Sequence, residues 1–115
     1  EDRLLIDPIV HTLSTDEHAL STFAACAKEI RARSNGAHVV SGLSNISFGL
    51  PSRPVINHAF LTLAMQAGMN AAIMDVLDRE MVGLLYATNA LLGEDEYCMD
   101  YITAFREGKF GVKKN

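Results

Sequence analysis

The stretch Gly42-Leu43-Ser44-Asn45-Ile46-Ser47-Phe48-Gly49-Leu50-Pro51-Ser52-Arg53-Pro54 gathers the residue types that ligand-holding loops use. Its glycines let the backbone turn sharply and come close to a bound molecule. Asn45 can both donate and accept hydrogen bonds. The same composition also makes a plain βα turn, with Ser and Asn as local caps. A second candidate is Asp7, a carboxylate between an apolar run and Pro8. An Asp in that setting either serves a site or closes an Asx turn. Asp75, after a third apolar run, reads as structural. His11, His18 and His58 show no HExxH or similar spacing, so no metal site is expected. No Ser or Cys has the surroundings of a nucleophile elbow, and neither GxGxxG nor a P-loop pattern occurs.

The elements that must position these groups follow from periodicity. Residues 4–10 form a short run rich in branched side chains, read as a strand buried on both faces. Ser14 and Glu17 have the spacing of a capping box. Leu20, Phe23, Ala27 and Ile30 then recur at helical spacing, so a helix is expected over residues 16–33, stopped by Asn35-Gly36. Residues 37–41 are the second strand, with His38 a packing or edge histidine at its start. A helix opens at Ser52 or Arg53 with Pro54 in its first turn, and Gly68 ends it. Residues 71–75 are the third strand. Asp78 caps a further helix broken by Gly93, and Asp95 caps a last one running to about Glu107. The five Met residues read as core filler, and the stretch from Gly108 as a frayed basic tail. Strands alternating with helices argue for parallel βαβ units. Asp7 and Asn45 then follow the C-terminal ends of parallel strands, where α/β proteins bind ligands.

Composition sets the outer bounds. A chain of 115 residues with 49% apolar content has the size of one domain and enough apolar side chains for a core. A net charge of -4 offers no basic footprint for nucleic acid. No apolar run reaches the roughly 18 residues of a membrane helix. Cys26 and Cys98 are far apart and read as buried thiols, in keeping with a reducing, cytoplasmic setting. The opening at Glu1, without Met, reads as a fragment or a trimmed product.

Ile6-Asp7-Pro8, the run Gly42 to Gly49 with Arg53-Pro54, then Ile56-Asn57 and Phe60-Leu61, resemble the pterin-binding methyltransferases that serve corrinoid proteins. The likeness continues through Ala67-Gly68-Met69, Ala71-Ala72-Ile73 and Tyr97-Cys98, to about Phe110. The pterin-binding module of cobalamin-dependent methionine synthase is similar at a greater distance. The resemblance implies an α/β fold, the C-terminal part of a TIM-type (β/α)8 barrel, comprising its last three βα units plus an extra helix. It implies a partial pterin-binding barrel domain over residues 1–110, with a disordered tail at 111–115.

The resemblance further implies transfer of the N5 methyl of methyltetrahydrofolate to the cobalt of a cobalamin-type corrinoid, carried by a partner protein. It assigns Asp7 to the pterin amino group and adjoining ring nitrogen, and Asn45 to N5. An amide does not titrate near neutral pH, so Asn45 would act as a hydrogen-bond donor that strengthens in the transition state. Ser44 and Ser47 are orienting groups. Arg53 either binds pterin or glutamate oxygens or caps its helix. Three strands cannot close a barrel, so a homo-oligomer, or an N-terminal half carried elsewhere, is expected to cover the sheet. On its own the chain is expected to be inactive. Two alternatives stand beside this: a non-catalytic interaction subunit built from the barrel, and another pterin enzyme such as a dihydropteroate synthase relative. The absence of lysine from the central loop weakens the latter.

Overall fold

The computed structural model describes residues 5–33, 37–75 and 77–111. They form two compact units, one ending at Ile73 and one starting at Met74.

In the first unit, β1 (Leu5–Ile6), α1 (Ala19–Arg33), β2 (His38–Gly42), α2 (Arg53–Ala67) and β3 (Ala71–Ile73) follow in order. The sheet order is β1-β2-β3 and both pairings are parallel. Leu5 stands opposite His38, and Gly42 opposite Ile73. Each parallel pair is bridged by a helix, as parallel neighbours require. Burial alternates along β2: Val39 and Ser41 are buried, while His38, Val40 and Gly42 are half-buried. One face of the sheet is therefore covered. The other leaves Leu5 60% and Ile73 65% exposed. The core comprises Phe23 and Ala27 from α1 and Phe60, Leu61 and Ala64 from α2. Phe23 and Phe60 meet edge to face, centroids 5.4 Å apart, the arrangement favoured by ring quadrupoles. Asn70 ties the start of β2 to the chain entering β3: its Oδ1 accepts from Val39 N at 2.8 Å, and its Nδ2 lies 2.9 Å from His38 Nδ1.

Gly68 ends α2 at φ 126°, where a Cβ would stand 3.1 Å from Arg31 Cγ. Only glycine takes that backbone and that space without strain.

In the second unit, α3 (Arg79–Leu91) and α4 (Met99–Arg106) flank a single 3-10 turn, Glu96–Cys98. Asp78 caps α3 as expected, its Oδ1 accepting from Met81 N at 3.1 Å. Val82, Ala104 and Phe110 are buried together, with Met74, Tyr86 and Tyr101 packed on them. The whole is α/β with a small parallel sheet and four helices, compatible with part of a (β/α)8 barrel.

Several local expectations are corrected. Among the described residues β1 is two residues long, and it is not buried on both faces: Leu5 is exposed and Ile6 half-buried. The capping box does not form. Ser14 Oγ donates instead to Phe48 O at 3.1 Å, and Asp16 Oδ1 takes His18 N, so α1 starts at Ala19 rather than Asp16. The Asn35-Gly36 stop lies outside the described residues, as does the tail beyond Gly111. Asp95 caps across a break. Tyr97 and Cys98 adopt φ 56° and 57°, and the Asp95 carboxylate reaches past them to the backbone N–H groups of Asp100 and Tyr101. Both cysteines are exposed rather than buried. Gly108 to Gly111 is not frayed: Phe110 packs against Tyr86, Tyr101 and Phe105, and Arg79 donates to the carbonyls of Gly108 and Gly111.

Candidate functional site

Two segments separated in sequence meet beyond the C-terminal ends of β1 and β2. The first follows β1: Asp7 is exposed, Pro8 and Val10 are buried, and the chain then turns through Thr12 to Asp16. The second follows β2: Leu43 is buried, Ser44 is exposed, and Asn45–Ser47 make one 3-10 turn. The register of the parallel strands sends both segments off the same edge of the sheet.

Three hydrogen bonds stitch the segments together. Asn45 Nδ2 donates to Val10 O at 2.6 Å, Leu13 N donates to Ile46 O at 2.9 Å, and Ser14 Oγ donates to Phe48 O at 3.1 Å. Ile46 is buried beneath the turn, so Asn45 and Ser44 stay at the surface while the turn is anchored from below. Gly49, at φ 84°, lets the chain reverse towards α2. A side chain there would approach Ser14 Oγ at 3.4 Å.

A second set of bonds ties the turn to the first turns of α2. Ser47 is fully buried, and its hydroxyl donates to Asn57 Oδ1 at 2.6 Å and accepts from Arg53 Nε at 3.0 Å. Arg53 Nη2 donates to Ser44 O at 2.7 Å, and the guanidinium carbon lies 5.8 Å from the Phe48 ring centroid. A planar guanidinium can hold several acceptors and an aromatic face at once, which an ammonium cannot. Arg53 is the first residue of α2, but it folds back on the loop. Ser52 occupies the N-cap position in a left-handed conformation and makes no side-chain cap bond.

The structure thus brings Ser44, Asn45, Ser47 and Arg53 into one bonded loop and sets Asp7 at the same sheet edge. Asn45 gives one amide N–H to Val10, leaving its second N–H and Oδ1. Asp75 closes a turn of its own, accepting from Leu77 N at 2.9 Å, which supports its structural reading. Among the described residues no three His, Cys, Asp or Glu side chains gather as metal ligands would. Among them, too, no helix is long and apolar enough to cross a membrane. Sequence reasoning missed Asn57 as a member of the site. Its signal was present: it lies four residues after Arg53, hence on the same face of the helix.

No protein-family profile matches the chain. Among curated proteins, it is 49% identical over 110 residues, 96% of its own length, to the methylcorrinoid:tetrahydrofolate methyltransferase of Eubacterium limosum. It spans 41% of that relative. It is also 35% identical over 81 residues, 64% of its length, to methionine synthase of Mycobacterium tuberculosis, of which it spans 7%. The resemblance read from Gly42 to Gly49 and its flanking motifs is borne out by these similarities.

Proposed function

We propose that this chain supplies part of the pterin site of a cytoplasmic enzyme moving a methyl group between N5 of a tetrahydrofolate and the cobalt of a corrinoid. One observation carries the reading: Asn45 stands exposed on a loop that hydrogen bonds hold from two sides, at the sheet edge that also bears the exposed Asp7. Ligands of parallel α/β folds bind at that edge. The similarity to a relative whose name joins a methylcorrinoid with tetrahydrofolate supports the choice of chemistry. The corrinoid belongs to a separate protein. The strands and helices are the last three βα units of a (β/α)8 barrel with an extra helix, and residues 1–110 are part of its pterin-binding domain.

The roles follow from the donor set. Asp7 accepts from the pterin amino group and its neighbouring ring nitrogen, two donors that a carboxylate receives side by side. N5 of a methylated folate is a tertiary amine and a poor leaving group until it gains positive character. A hydrogen bond donated to N5 by Asn45 strengthens as electron density builds there. In the opposite direction the N5 lone pair attacks the methyl carbon, the cobalt–carbon bond breaks with its electron pair left on cobalt, and N5 must then give up its proton. Asn45 Oδ1 can accept that N–H before water removes it. Ser44 and Ser47 orient the loop, and Arg53 keeps its Nη1 edge for pterin or glutamate oxygens.

The test uses the complete enzyme with its corrinoid protein, following the corrinoid absorbance in a single turnover. Methyl exchange with tetrahydrofolate that slows on Asn45→Ala and needs higher folate on Asp7→Ala is the expected result. Full-rate transfer in Asn45→Ala and an unchanged folate requirement in Asp7→Ala would remove these residues from the site.

A further inference from the structure

We infer that Asn57 is a positioning residue, which acts through the Ser47 hydroxyl to set where Asn45 presents its amide. This rests on the proposed role of Asn45 and adds to it a residue that touches no substrate.

The Ser47 hydroxyl has a single proton and two acceptors in range, Asn57 Oδ1 at 2.6 Å and Ser44 O at 3.1 Å. The shorter contact takes the proton, so Asn57 fixes the direction in which the hydroxyl donates. The hydroxyl lone pairs are then turned to Arg53, whose Nε donates at 3.0 Å. With Nε held, Nη2 of the same rigid guanidinium meets Ser44 O at 2.7 Å. The Ser44 carbonyl belongs to the peptide plane that carries the backbone nitrogen of Asn45. Fixing that oxygen therefore fixes one side of Asn45. Val10 O fixes the other by holding the side-chain amide at 2.6 Å.

Asn57 is the only one of these groups on the second turn of α2, so it refers the loop to a rigid element. Ser47 is fully buried, and water does not replace the acceptor it would lose. With an apolar residue at 57, the Ser47 proton turns to Ser44 O. There it crowds an oxygen that already accepts from Arg53 Nη2 and from Ser47 N, and the peptide plane before Asn45 shifts. The consequence is a misaimed Asn45 rather than a lost binding group. A small misplacement of a catalytic group lowers rate far more than affinity.

The experiment compares Asn57→Leu, Asn57→Asp, Asn45→Ala and the Asn45→Ala/Asn57→Leu double variant in the complete enzyme, by single-turnover methyl transfer, folate affinity and Tm. Asn57→Leu is expected to slow transfer by about tenfold, with folate Kd changed by no more than about twofold. Asn57→Asp keeps an acceptor for the Ser47 proton and should recover most of the rate. The double variant should be no slower than Asn45→Ala alone, because the two residues act in series. Normal transfer by Asn45→Ala would overturn the site reading itself. A slow Asn45→Ala with a normal Asn57→Leu would overturn only the positioning role. Multiplying effects in the double variant, or an Asp variant as slow as the Leu one, would do the same and reduce Asn57 to loop stability.

Discussion

Replacing Asn45 by Ala removes two separable interactions, and their sizes can be set apart. The first is the 2.6 Å bond to Val10 O, a part-buried neutral contact. Such a bond contributes about 1 kcal/mol net, so its loss loosens the loop and weakens folate binding by about fivefold. The second is the proposed donor to N5, which matters only as charge develops there. Removing one such donor costs about 3 kcal/mol of transition-state stabilisation, or roughly a hundredfold in rate. Single-turnover transfer between folate and corrinoid should therefore fall by roughly two orders of magnitude at saturating folate. Calorimetric folate affinity should fall by well under one order. Asn45→Asp should do no better, since a carboxylate is repelled by the Val10 carbonyl and cannot donate to N5 when ionised. Equal losses in rate and affinity would show that Asn45 only seats the ring. An unchanged rate would place N5 elsewhere.

Asp7→Ala should raise folate Kd by about thirtyfold, the effect of removing a charged acceptor worth about 2 kcal/mol, with transfer at saturation little changed; calorimetry and saturation kinetics check this. Gly68→Ala places a side chain at φ 126° and against Arg31, and should lower stability by about 2 kcal/mol in urea unfolding. Asn70→Leu leaves the amide of the buried Val39 without its 2.8 Å acceptor and should lower stability by about 1–3 kcal/mol. The open sheet face bearing Leu5 and Ile73 should drive self-association of the 115-residue chain at micromolar concentration, and a compact monomer by sedimentation would contradict it.

The local rules written in the sequence carried much of the fold. Three apolar runs separated by helical periods gave three parallel strands, because such runs bury a face only when helices cross between them. Asp78, Pro54 and Gly68 marked helix ends because capping and positive φ depend on residues a few positions away. The order of residues from Gly42 to Gly49 also sufficed to identify the kinship. Tertiary contacts decided what those rules could not reach. Ser14 and Glu17 had the spacing of a cap, but Ser14 lies beside Phe48 O, an acceptor distant in sequence, and the cap was lost to it. Cys26 fell in a helical pattern, yet only packing decides which face of α1 meets α2, and Cys26 lies on the exposed one. Phe110 looked like part of a polar tail until Tyr86, Tyr101 and the Arg79 guanidinium supplied its surroundings. In the same way the sequence supplied Asn45 and Arg53 as residue types, but their settings come from Val10, Ser47 and Asn57. Those bonds join groups as far apart in the chain as Val10 and Asn45, a relation that periodicity and spacing do not encode.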